Sequence, residues 1–366
     1  MTQIFSSQKR ILAVLNNSIP DKVPVCPRLD PKWLQNAGPE LAETIIRTTD
    51  VALYIDILPD VALFFGQEAR DRFRSETRDG LRHEELDTPK GTLTRLIHIE
   101  TDMMDWAEKN FFDTPEDVEK ALSIPYAPAQ IDLTEYRHWE QRIGDEGIVM
   151  AHVGNALCCP GLWFSPENFV MQACSDATEL VLQLTARVNQ SIMDVTTQCL
   201  DSDIRFFMQS GAELASQTIM GPEWFDRFIT PFDKPVAELI RSRGGYTWCH
   251  CHGKISAIHK QLADLGIHVL SPCEKPPLQG NIELAELKRS IGGKVCLAGN
   301  LDDLALLASG NREQIRAETL ACLTAGMPGG GYMLGGTEGC VFSRNTAEAY
   351  LYMCELRDQY GKYNSC

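Results

Sequence analysis

Short apolar runs, each followed by a helix-like stretch, recur along the chain. They are Val23–Pro27, Val51–Leu58, Gly147–Val153, Ile204–Met208, Tyr246–His250, Ile267–Ser271, Lys294–Ala298 and Gly331–Leu334. Continuous apolar runs of this length suit strands buried on both faces, the pattern of parallel sheets. The segments Pro222–Arg243, Ser256–Leu265, Ile282–Ile291 and Asn311–Ala325 are amphipathic. Strand–helix alternation repeated eight times predicts an α/β fold, a (β/α)8 TIM barrel. A doubly wound open sheet is the rival architecture, because periodicity alone does not close a barrel.

One region breaks the rhythm. Leu81–Leu86 and Thr92–Glu100 flank Asp87-Thr88-Pro89-Lys90-Gly91, which predicts a β-hairpin with a five-residue connection. Thr114-Pro115-Glu116-Asp117 opens a short helix with a capping signal. Residues 60–145 therefore read as an insertion between the second and third barrel strands, within one domain spanning 1–366.

Composition narrows the classes. Acidic residues outnumber basic ones by 50 to 34, a net charge of -16, which repels phosphate backbones and argues against a nucleic-acid partner. The opening MTQIFSSQKR has no signal-peptide pattern, and no apolar run is long enough to span a bilayer. With 13 scattered cysteines and no secretory signal, the expectation is a cytoplasmic protein with reduced thiols, mostly small core residues.

In such barrels chemistry sits where strands end and the following loops begin. The polar residues there are Arg28, Asp30, Asp56, His152, Asn155, Glu213, His250, His252, Glu274, Asn300, Glu338 and Cys340. The densest cluster is Trp248-Cys249-His250-Cys251-His252-Gly253. On an extended strand His250 and His252 share one face and Cys249 and Cys251 the other. Two imidazoles and a distant thiolate make a three-ligand set for catalytic zinc with one open position. The thiolate is assigned to Cys340, within Gly335-Gly336-Thr337-Glu338-Gly339-Cys340, whose glycines let the backbone approach an ion. The alternative is a loop of hydrogen-bonded histidines and buried thiols that binds nothing.

Gly211-Ala212-Glu213, Gly221-Pro222-Glu223-Trp224-Phe225, Pro231, Gly244-Gly245, His250–Gly253, Glu274, Gly280, Lys288, Gly299-Asn300 and Tyr360-Gly361-Lys362-Tyr363 resemble the second half of the uroporphyrinogen decarboxylase superfamily. Weaker similarity reaches back to Asp21-Lys22-Val23-Pro24-Val25. The resemblance implies a (β/α)8 barrel. It is nearest to the branch of methylcobamide:coenzyme M methyltransferases, which carry His-x-Cys-Gly after the fifth strand and a late Cys, all three binding zinc. His250 falls on the family His, His252 on its first Cys and Cys340 on the late Cys. The His at 252 departs from that pattern and replaces a thiolate with a neutral donor.

The decarboxylase branch needs an arginine-rich N-terminal segment to hold substrate carboxylates, whereas Val25–Asp30 has one arginine, Arg28. Tyr54–Leu58 does resemble the stretch that bears the decarboxylase's catalytic Asp, at Asp56. By resemblance, the expected function is zinc-dependent methyl transfer between a small methylated donor and a corrinoid (cobalamin) carried by a partner protein. Zinc with two imidazoles and one thiolate is more electrophilic than zinc with two thiolates, which favours an O-methyl donor. Glu213, Asp56 and Glu274 are the candidates for proton transfer or for completing the zinc shell. His152, Asn155 and Asn300 are the candidates for cofactor or donor contact. The alternatives are a metal-free decarboxylase using Asp56 and Arg28, and a non-catalytic zinc- or tetrapyrrole-binding protein.

Overall fold

The computed structural model describes residues 5–100, 105–337 and 343–363. Its strands in chain order are β1 (Arg28–Leu29), β2 (Val51–Asp56), β3 (Phe73–Arg78), β4 (Leu81–Thr88), β5 (Gly91–His98), β6 (Trp106–Lys109), β7 (Gly147–His152), β8 (Phe206–Ser210), β9 (Tyr246–His250), β10 (Val269–Ser271), β11 (Cys296–Leu301) and β12 (Tyr332–Gly336). Eight of them form one parallel sheet in the order β1-β2-β7-β8-β9-β10-β11-β12. The sheet closes on itself: Val25 bridges Leu334 in parallel, Cys26 N–H donates to the Leu334 carbonyl (2.7 Å), and Leu334 N–H donates to the Pro24 carbonyl (2.8 Å). This is the (β/α)8 barrel. The first strand begins at Arg28, just after the expected run Val23–Pro27, in which only Val25 makes a bridge, because Pro24 and Pro27 have no N–H to give to either neighbour.

Strand alternation divides the apolar side chains into two cores. Ala52, Ile148, Met150, Met208, Trp248, Val269, Cys296, Ala298 and Met333 fill the barrel interior. The helix Ser7–Leu15 stoppers its N-terminal end with Ile11, Val14 and Leu15. The intervening residues, among them Leu53, Val149, Phe207, Cys249, Leu270 and Leu297, pack outward in the larger core with the surrounding helices.

The insertion lies between β2 and β7, which pair directly. It contains a four-stranded antiparallel sheet, β3-β4-β5-β6, rather than a lone hairpin. The polar strand Phe73–Arg78 has no apolar alternation to betray it. The β4–β5 ladder runs on through Asp87↔Thr92 and Thr88↔Gly91, so the connection is Pro89-Lys90 and not the five residues expected. The helix Pro115–Leu122 starts with the expected capping box between Thr114 and Asp117. Trp163, in the loop after β7, sits among Phe64, Phe65, Phe111 and Phe112 at centroid distances of 4.9–5.9 Å, pinning the insertion beside the mouth.

A buried charge cluster ties the seam. Asp50, just before β2, accepts from Arg10 (2.6 Å) and Arg357 (3.1 Å) and from the Val25 backbone N–H (2.8 Å). All three side chains are almost fully buried, so deleting the carboxylate takes a counter-charge from two buried arginines, which keep only Asp21 (2.7 Å from Arg10) and Asp358 (2.8 Å from Arg357). Asp50→Ala should lower unfolding stability by roughly 3–5 kcal/mol in urea titrations. A loss below about 1 kcal/mol, the scale of an exposed pair, would mean the cluster does not hold the seam.

Candidate metal centre and active site

The interior is apolar below and polar above. Counting two residues on from inward-facing positions gives Arg28 after Cys26, His152 after Met150, Ser210 after Met208, His250 after Trp248 and Ser271 after Val269. Asp56 follows Tyr54 in the same way. These six side chains ring the C-terminal mouth.

Arg28 sets the protonation of His250. A guanidinium can only donate, and it lies 3.0 Å from His250 Nε2, so that nitrogen presents a lone pair. The proton of the neutral ring therefore sits on Nδ1, 2.8 Å from the Ser271 hydroxyl, which also accepts from Trp248 Nε1–H (2.7 Å). His252 Nε2 lies 2.8 Å from His250 Nε2. Burial, then the charges of Arg28, His252 and His152, hold the His250 pKa well below the ordinary 6.5, so the ring is neutral at physiological pH.

His252 is held from behind. Its Nδ1 lies 3.2 Å from Glu274 Oε1, whose other oxygen accepts the Gly253 N–H (2.6 Å), and Glu213 accepts the His252 backbone N–H (3.3 Å). Burial raises the Glu213 pKa above the ordinary 4.5. Gly211 makes room for this turn: a Cβ there would lie 2.2 Å from the His250 carbonyl oxygen.

Across the mouth, Asp56 Oδ1 lies 2.7 Å from His152 Nδ1, and His152 Nε2 lies 2.9 Å from Ser210 Oγ. Partial desolvation pushes the Asp56 pKa up, but the hydrogen bond and charge of His152 outweigh it and hold it below the ordinary 3.8. The Tyr54 ring lies between Arg28, over its face at 5.2 Å, and His152, edge-on at 5.8 Å.

Residues 167–349 match the family model for uroporphyrinogen decarboxylase (URO-D). The chain belongs to the uroporphyrinogen decarboxylase family. The matched segment contains Ser210, Glu213, His250, His252 and Glu274, while Arg28, Asp56 and His152 precede it. Two curated relatives, both methylcobamide:CoM methyltransferase MtaA from Methanosarcina barkeri, are 28% identical over 145 residues, covering 38% of this chain. The chain spans only 40% of the length of those relatives. A methyltransferase from Methanosarcina mazei superposes over 97% of this chain and 99% of its own, with a TM-score of 0.68 at 17% identity, which shows a shared fold.

Within this family member the residues expected from sequence separate into groups. Asp56, His152, His250 and His252 meet at the mouth. Glu213 and Glu274 brace the His252 turn from behind it. Asn155 is fully buried away from the mouth; it accepts the Leu157 N–H (2.9 Å) and donates to Asp233. Asn300 donates to the Cys273 carbonyl and lies 3.7 Å from the Cys322 thiol on the helix Arg312–Gly326, because Gly299 (φ 125°) breaks the strand alternation. Asp30 caps the helix Pro31–Asn36 through the Trp33 N–H (2.7 Å). Cys249 and Cys251 lie in the outer core, on the face opposite His250. Glu338 and Cys340 fall outside the described residues. Among the described residues no cluster of three or more His, Cys, Asp or Glu side chains could hold a metal. Sequence alone does not single out Ser210 and Ser271, because a hydroxyl is an ordinary strand residue, although both stand at the last inward positions of their strands.

Asp233 supplies a pH test of this scaffold. Burial pushes its pKa up to about 8, opposed by Asn155 and reinforced by Glu213. The folded protein thus keeps a proton that the unfolded chain loses near 3.8, so stability falls as pH rises from there through about 8. Asp233→Asn, which stays neutral, should flatten that decline in urea midpoints taken from about pH 5 to about pH 9. An unchanged slope would show that Asp233 is ionised in the folded protein at neutral pH.

Proposed function

We propose that this protein is a zinc-dependent methyltransferase that moves a methyl group from a small O-methyl donor to a corrinoid. The corrinoid is carried by a partner protein and is thus a co-substrate rather than a resident group. The observation that supports this reading best is the imidazole pair. His250 and His252 converge through Nε2 while Ser271 and Glu274 hold their Nδ1 atoms, the outer-shell support that metal-ligating histidines use. The donor set fits zinc, with His250 and His252 holding it and Cys340 as the third proposed ligand. Bound there, zinc supplies Lewis acidity toward the oxygen of the donor. The chain's own residues do the rest: Arg28 and Tyr54 wall the mouth, and Glu213 and Glu274 keep His252 in place. The partial likeness to the two methyltransferase relatives supports the same reaction class.

The purified protein should carry about one zinc per chain. His250→Ala, His252→Ala and Cys340→Ala should each lose most of it by elemental analysis. Replacing Cys249 and Cys251 together with Ser should leave the metal content unchanged. Zinc retained in full by Cys340→Ala removes that thiol from the ligand set.

A methyl ether or methanol should convert cobalt(I) corrinoid to its methylated form in the presence of the protein, followed by the cobalamin spectrum. Methylcobalamin should lose its methyl to thiols slowly, and His252→Cys should speed that reaction, since a second thiolate lowers the charge at the metal. Carbon dioxide release from uroporphyrinogen that survives chelation and depends on Asp56 would favour decarboxylation instead.

A further inference from the structure

We propose that Asp56, His152 and Ser210 form a proton relay that delivers a proton from solvent to the oxygen leaving the methyl donor. Three observations carry it. The three side chains make one continuous hydrogen-bonded line, 2.7 Å from Asp56 to His152 and 2.9 Å from His152 to Ser210, through the two different nitrogens of one imidazole. The line runs from open to enclosed: the Asp56 side chain is 71% exposed and that of His152 is 20% exposed. Its inner end is next to the metal candidates, since Ser210 is the ladder partner of His250 on the adjacent strand and faces the same interior.

The order of groups decides what the line can do. Asp56 accepts the Nδ1–H of His152, which fixes the ring plane and stabilises the ring when it also carries a proton on Nε2. In that state Nε2–H points at Ser210 Oγ, whose own hydrogen is turned toward the mouth. The inference rests on the methyl-transfer reading, and its balance is as follows. The C–O bond of the donor breaks and its electron pair stays on oxygen. The methyl carbon takes the electron pair of cobalt(I) in the corrinoid. The oxygen gains the Ser210 hydroxyl proton, Ser210 Oγ regains one from His152 Nε2, and the neutral ring, which keeps its Nδ1–H on Asp56, takes its next proton on Nε2 from water once the product has left. Ser210 is thus the catalytic residue of the relay, while His152 supplies its proton and Asp56 positions His152. None of the three belongs to the zinc set.

A poor leaving group needs this proton and a good one does not, so two donors separate the roles. Ser210→Ala and His152→Gln should slow transfer from an alkyl methyl ether by about 10²–10⁴, and from a nitrophenyl methyl ether by less than about tenfold. Ser210→Thr, which keeps the hydroxyl, should restore the alkyl ether rate. Equal losses on both donors, or no rescue by Thr, would overturn the relay. A second measurement needs no turnover. The resting protein should show a low-field imidazole Nδ1 proton resonance that vanishes in His152→Gln and moves upfield in Asp56→Asn; its absence also overturns the relay. A wild-type protein that turns over neither ether overturns the methyl-transfer reading instead, and the resonance alone then judges the hydrogen-bonded line.

Discussion

Everything at the mouth depends on how the barrel closes, and closure runs through one buried carboxylate. Asp50 accepts from Arg10 on the N-terminal helix, from the Val25 backbone beside the first strand and from Arg357 on the C-terminal helix. The first strand is preceded by Pro24 and Pro27 and can form only a short ladder, so its position cannot rest on backbone pairing alone. Arg28 is the first residue of that strand. If the seam slipped by one residue, Arg28 would face the outer helices instead of His250.

Above the seam, a second constraint of the same kind operates on a smaller scale. Arg28 can only donate to His250 Nε2, which leaves the neutral ring one tautomer, with its Nδ1–H on Ser271. The arrangement puts a lone pair, not a proton, where His250 meets His252. Glu274 stands to His252 Nδ1 as Ser271 does to His250 Nδ1, with a carboxylate in place of a hydroxyl. The mouth therefore has two unlike halves. The His250–His252 side offers ring nitrogens to a metal, whereas the Asp56–His152–Ser210 side is built to hold and pass a proton, and the two meet where Ser210 pairs with His250 on the adjacent strand.

The division also follows the chain. The family match begins at residue 167 and takes in the strands that carry Ser210 and the histidine pair. Arg28, Asp56 and His152 come from the part before it, where the insertion also lies. A barrel permits this separation because each strand presents its own last inward residue to a common mouth, so one arc can keep its chemistry while another changes.

The eight barrel strands, the insertion with its capped helix, and the opposite faces of His250 and Cys249 could all be read from the chain, because period-2 alternation and turn chemistry are local properties. So could Asp56, His152, His250 and His252, which are polar residues at strand ends. The uses of the other polar residues could not. Asn155, Asn300 and Asp30 look the same in sequence as residues of the mouth, yet one is buried against Asp233, one is turned outward by Gly299 and one caps a helix. Ser210 and Ser271 look like filler, yet each meets a histidine from a neighbouring strand. Which partner a side chain finds depends on the register between strands that lie tens of residues apart, and only the closed barrel decides that.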